Sequence, residues 1–156
     1  MKDIDIGIEE KERKNISDGL SKILADTYML YLQTQNFHWN ITGPMFGTLH
    51  MISESQYIEL GSAVDVIAER IRALGVYVPA TITELTELAS IKEFKRSSTP
   101  EKMIQFLIDG QESIVRLARN ISKIVLTSHD QVTADLLVNR MKIHEKNAWM
   151  LRSFLS

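Results

Sequence analysis

From Phe46 to Leu74 the chain carries apolar residues at helical spacing with no proline to interrupt them, between Gly43-Pro44 on one side and Gly75 on the other. Read as one helix at ~1.5 Å per residue, this run is about 43 Å long. A rod of that length cannot bury its apolar stripe against short elements. It needs partners of similar length, and that restricts the chain to a bundle of long helices. Three other runs supply them. Asn15 to His38 repeats Ile16, Leu20, Ile23, Leu24, Tyr28, Leu30, Tyr31 and Phe37. Thr99-Pro100-Glu101 reads as N-cap, N1 proline and first-turn acid, and opens a stripe of Met103, Phe106, Leu107, Ile114, Leu117, Ile121 and Val125. After a break at Thr127 to Asp130, Val132, Leu136, Leu137, Ile143, Ala148, Leu151 and Leu155 carry the last run to the C-terminus.

The first and second runs are joined closely, as are the third and fourth, so each pair reads as an antiparallel hairpin. Residues 75–98 form a longer connection with Pro79 and a short helix expected near Glu84 to Ser90. A segment of this kind can carry the chain the length of a bundle, leaving the second and third runs parallel. The expected fold is all-α: a four-helix bundle with a long crossover that carries a short extra helix. At 156 residues the chain reads as one domain, 1–156, with residues 1–14 a short N-terminal arm.

Net charge is -2 and the pI about 6.1, so the chain is no polycation. In the arm Lys2, Lys11, Arg13 and Lys14 stand against Asp3, Asp5, Glu9, Glu10 and Glu12, unlike a basic DNA-binding tail. Cysteine is absent, which removes disulfides, thiolate metal sites and cysteine nucleophiles. With no secretory leader and no apolar run long enough to cross a bilayer, a cytoplasmic location is expected.

Projected at 100° per residue, His50, Glu54, Gly61 and Asp65 fall in a roughly 60° sector of the second run, with Glu69 at its edge. Asp65 and Glu69 stand i, i+4 and share a face, but His50 lies about 22 Å back along the axis at ~1.5 Å per residue. No single ion reaches both ends. Two readings share this stripe. One is a solvated polar face with incidental histidines. The other is a metal face on which a second copy, related by a two-fold axis, supplies half of the ligands. Gly61 disfavours an isolated helix by about 1 kcal/mol and suits close helix–helix approach, which supports the second reading. Imidazole with carboxylate is a ligand set for iron, manganese or zinc. The usual in-bundle di-iron motif is absent, because Gln35, Gly47, Leu126 and Met141 stand three before His38, His50, His129 and His144. His129 reads as a surface turn residue and His144 as a partly buried hydrogen-bonding one. Trp39 fits core or interface packing, and Asp130 and Asp135 fit the start of the last helix.

The stretch Asn36-Phe37-His38-Trp39-Asn40-Ile41-Thr42-Gly43-Pro44, with Leu49-His50 and Asp65-Val66-Ile67-Ala68-Glu69-Arg70-Ile71, closely resembles the Dps (DNA protection during starvation) family of mini-ferritins. Thr133-Ala134-Asp135-Leu136-Leu137 and His144-Glu145-Lys146-Asn147-Ala148-Trp149-Met150 extend the resemblance to nearly the whole chain after the arm. It implies a ferritin-like bundle assembled as a hollow dodecamer with ferroxidase sites at two-fold interfaces. His38 and His50 would come from one subunit and Asp65 and Glu69 from its neighbour, with Glu54 as an acidic ligand or supporting group. The implied activity is Fe(II) oxidation, preferably by hydrogen peroxide, with storage of ferric mineral in the shell and protection against oxidative stress. Trp39 would intercept stray oxidising equivalents, and Asp130 and Asp135 would lie near three-fold iron pores, where Gln131 replaces an acid found in some relatives. The alternative is a nucleoid-binding, DNA-protecting protein with secondary ferroxidase activity, although this arm implies weak or no DNA binding. A di-iron oxygenase is opposed by the missing Glu-x-x-His motifs.

Overall fold

The computed structural model describes residues 4–95 and 98–156. Its helices are α1 (Glu10–Asn40), α2 (Phe46–Ala73), α3 (Ile82–Leu88), α4 (Pro100–Thr127) and α5 (Gln131–Arg152), and the described residues contain no strand. The all-α bundle follows the expected plan. α1, however, starts at Glu10, so residues 10–14, grouped above with the arm, are its opening. Glu10 and Glu12 favour a helix N-terminus. Arg13 donates to the carbonyls of Leu74 (3.2 Å) and Ile8 (2.6 Å), tying this end to the end of α2. First-turn acids and the Arg13 contacts extend the helix beyond its apolar rhythm, which begins only at Ile16.

α2 stops where Gly75 takes φ +89°, a left-handed conformation that costs glycine little. The amide of Val76 then donates to Ile71 (3.3 Å) and that of Gly75 to Arg72 (2.9 Å). In the crossover, Thr81 and Glu84 form a reciprocal capping box that starts α3 two residues earlier than expected. Asp26 of α1, 1% exposed, accepts from the amide (2.6 Å) and hydroxyl (2.7 Å) of Ser90 and the amide of Ile91 (3.0 Å), anchoring the far end of the crossover. α1 runs antiparallel to α2, since His38 meets His50 and Tyr31 meets Tyr57. It is antiparallel to α4 too, where Gly19 abuts Ile121 and Gly110 abuts Leu30. α2 and α4 are therefore parallel, as the long connection predicts.

Ile16, Leu20, Ile23, Leu30 and Phe37 of α1 pack with Leu60, Ile67 and Ile71 of α2, Leu107, Ile114 and Val125 of α4, and Leu137 and Leu151 of α5. Val132, 63% exposed, and Tyr28 belong to the rhythm but face outward. No described helix is long and apolar enough to cross a membrane.

Candidate metal centre

The end of α1 and the start of α2 lie side by side across residues 41–45, and this brings His38 and His50 together. Their rings stack with centroids 3.7 Å apart at 17°. Each is tied to the other's backbone: His38 Nδ1 lies 2.8 Å from the His50 carbonyl, and His50 Nδ1 lies 2.9 Å from the His38 carbonyl. A carbonyl can only accept, so both Nδ1 atoms carry the proton and donate. In the neutral ring this tautomer puts the lone pair on Nε2, the form in which an imidazole binds metal. The His38 carbonyl is available because it lies in the last turn of α1, where helical partners run out. Tyr57 packs edge-on to His38 at 5.2 Å, Phe46 lies 5.1 Å from His50, and the Ser53 hydroxyl donates to the carbonyls of Leu49 (2.7 Å) and His50 (3.0 Å). His38 is buried and His50 half-buried.

Glu54, Asp65 and Glu69 are exposed on α2. The helix is unbroken from Phe46 to Ala73, so His50 and Asp65 keep their axial separation of about 22 Å. Among the described residues, no three His, Asp or Glu side chains of one chain lie close enough to share an ion. The structure thus joins the two imidazoles and leaves the two acids apart from them. A Cβ at Gly61 would meet the Tyr31 ring of the same chain at 3.4 Å, an ordinary van der Waals contact, so packing within the chain does not itself demand glycine there.

Residues 17–156 match the ferritin-like domain family. The chain is 38% identical over 143 residues to DNA protection during starvation protein 2 of Bacillus anthracis, covering 92% of this chain and 98% of that one. It belongs to the Dps family. The Dps protein of Vibrio cholerae O1, described as a member of the ferritin-like diiron-carboxylate superfamily, superposes with TM-score 0.93 at 29% identity, covering 100% of this chain and 98% of that one. The Dps protein of Bacillus brevis gives 0.90 at 31% identity, covering 94% and 98%.

In this Dps chain Asp130 and Asp135 stand in different settings. Asp130, 3% exposed, receives both oxygens' worth of bonds from Arg70 Nη2 (2.8 Å each) and caps α5 through the amide (2.9 Å) and hydroxyl (2.5 Å) of Thr133. Burial alone would raise its carboxyl pKa, but the Thr133 bonds and then Arg70 outweigh burial and hold it below the ordinary aspartate value. Asp135 is exposed and accepts only from Asn139 Nδ2, at 3.2 Å, among the described residues. Trp39, 63% exposed, stands beside His38 on the outside of α1. His129 takes φ +56° in an exposed turn, as expected.

His144 is fully buried rather than partly so. Its Nδ1 donates to Gln111 Oε1 at 2.5 Å, and its Nε2 accepts from Arg140 Nη2 at 3.0 Å. Arg140 also grips Glu59 across to α2, with Nη2 to Oε2 at 3.1 Å. Burial, then the Arg140 charge, drives the His144 pKa well below the ordinary imidazole value. Sequence reading missed this four-residue network. Arg140 and His144 stand i, i+4 on one face, the only local signal of it.

Proposed function

We propose that the protein is an iron-storing ferroxidase: it oxidises Fe(II), preferably with hydrogen peroxide, and keeps the ferric product inside a closed homo-oligomer, a dodecamer. The observation that carries this reading is the reciprocal locking of His38 and His50, which spends both Nδ1 atoms on carbonyls and leaves both Nε2 atoms of the stacked pair uncommitted. Iron is the substrate, held by His38 and His50 of one subunit and by Asp65 and Glu69 of a two-fold-related neighbour, with Glu54 at hand beside His50. The acids are exposed and, among the described residues, form no ion pair, so they are free to meet a neighbour. Two Fe(II) ions would give one electron each to one hydrogen peroxide, whose O–O bond breaks as two protons from solvent complete two waters, leaving two Fe(III) and releasing no hydroxyl radical. Trp39 stands beside the site to absorb stray oxidising equivalents, and Asp135, more than the fully engaged Asp130, suits a pore that feeds iron inward. The protein's place is the cytoplasm.

The test is an anaerobic Fe(II) titration followed by peroxide, with native mass measured on the same sample. Rapid oxidation with a protein-limited stoichiometry in an assembly of about twelve chains is expected. If a chain carrying both His38→Ala and Asp65→Ala oxidised iron as fast as the parent, the site assignment would fail. The Bacillus anthracis relative is named for DNA protection. For this chain we expect weak or no retardation of DNA at ~150 mM salt, since its N-terminal segment is charge-balanced and Arg13 is occupied by backbone carbonyls.

A further inference from the structure

Where α2 and α5 face each other, a guanidinium sits in a place with the donor chemistry of a metal site. Arg140 Nη2 lies 3.1 Å from Glu59 Oε2 and 3.0 Å from His144 Nε2, with Arg140 Nη1 on the other Glu59 oxygen. The imidazole is already prepared, because Gln111 Oε1 holds its Nδ1 proton and Nε2 carries the lone pair that Arg140 uses. Gln56 lies one turn before Glu59 on the buried face of α2. The pairing of Arg70 with Asp130 and of Glu59 with Arg140 places Gln56 level with His144. Gln56 is 3% exposed, yet neither its amide oxygen nor its amide nitrogen has a hydrogen-bond partner among the described residues. A buried amide with both ends unpartnered is costly, and it marks a position built to face a polar ligand. The outer side of this layer meets solvent: a groove of about 420 Å³ between α2 and α5 is lined by Glu59, Ser62, Ala63, Leu136 and Arg140, with His144 and Gln56 buried behind it.

We infer that Arg140 is the resident cation of a divalent transition-metal site formed by Glu59, His144 and Gln56, and that its guanidinium keeps this site closed to free metal in the native protein. A carboxylate, a neutral imidazole nitrogen and an amide oxygen are ligands for a borderline dication, with water completing the shell. Held bidentately by Glu59, Arg140 supplies the compensating charge without exchange, because a guanidinium cannot be deprotonated at any relevant pH. Removing it leaves the half-buried Glu59 carboxylate and the buried, unpaired His144 nitrogen without their shared cation, and a dication can take its place. The arginine thus excludes iron from between the helices and leaves the His38 and His50 face as the place where metal binds.

The probe is Co(II), whose visible bands report a low-coordinate nitrogen and oxygen shell, added to full-length chains that carry His38→Ala and His50→Ala so that the outer histidines cannot respond. In that background the chain with Arg140 intact is expected to show no visible bands. Arg140→Ala is expected to bind about one Co(II) per chain at least tenfold more tightly and to melt at a higher temperature with the metal present. Adding His144→Ala is expected to abolish both responses. Where Arg140→Ala does not fold unaided, Co(II) restores its helical circular dichroism. Equal binding with and without Arg140, binding that survives His144→Ala, or an Arg140→Ala chain that Co(II) neither colours nor refolds would overturn the inference.

Discussion

The paired histidines where α1 ends and α2 begins and the buried His144 of α5, packed against α4, use the same side chain in opposite ways. His38 and His50 each spend Nδ1 on a carbonyl and keep Nε2 unused, whereas His144 spends both nitrogens, on Gln111 and Arg140. Burial does not sort them the same way: His38 is buried, as His144 is, while His50 is half-buried. An imidazole's chemistry is decided by what its second nitrogen does, more than by how near other ligands stand.

That contrast can be broken most directly by complementation. Chains with His38→Ala and His50→Ala, and chains with Asp65→Ala and Glu69→Ala, should each lose at least about a hundred-fold in iron oxidation rate, beyond the loss usual for supporting groups. Co-assembled, each mixed two-fold pair regains one intact site, so roughly a quarter of the parental rate should return on random pairing. No recovery would mean that imidazoles and acids do not meet across subunits.

For the sealed histidine the effect falls on stability. His144→Ala leaves a cavity and strands Gln111 and one face of Arg140, and should cost about 2–4 kcal/mol in urea unfolding. His38→Ala, in the half-open pair, should cost less than half as much by the same measurement.

Acid should separate the two regions next. The folded His144 resists protonation while the unfolded chain takes a proton below about pH 6.5, so the unfolded state binds more protons and stability falls as pH drops through that point. The expected slope from this group is up to about 1.4 kcal/mol per pH unit, and it should vanish in His144→Leu. Asp130, whose pKa is lowered, adds a further loss only at more acidic pH, as its own folded carboxyl takes a proton. A chain equally stable at pH 7 and pH 5 would contradict the sealed state of His144.

The smallest effect concerns a histidine in neither role. His129 adopts φ +56° at the end of α4, where Asp130 N–H reaches back to Val125 at 3.3 Å, the arrangement that glycine serves at the end of α2. His129→Gly should stabilise the fold by about 0.5–1 kcal/mol without changing iron oxidation, as read by thermal melting and the rate assay.

Much of this architecture is legible in the chain because it rests on local rules. The helical rhythm, Thr99-Pro100, Asp130 and Gly75 mark element ends close to where the structure puts them, and the length of residues 75–98 implies the parallel α2 and α4. The start of α1 is not legible, because Glu10 to Lys14 carry no apolar stripe and are held by a contact from Arg13 to Leu74, sixty-one residues away. Thr81-Ile82-Thr83-Glu84 did hold a readable start for α3, as a capping box. At the site, spacing alone separates Asp65 from His50 along one helix, but the reciprocal lock of the histidines depends on two carbonyl directions that no sequence pattern encodes.

Because each imidazole is tethered to the other's main chain, α1 and α2 cannot slide past each other by a fraction of a turn without both tethers failing together. The pair is a gauge of helix register. Two donors are aligned when the hairpin folds, before any ion arrives, so the entropy of gathering them is spent once, at folding, and not again at each capture.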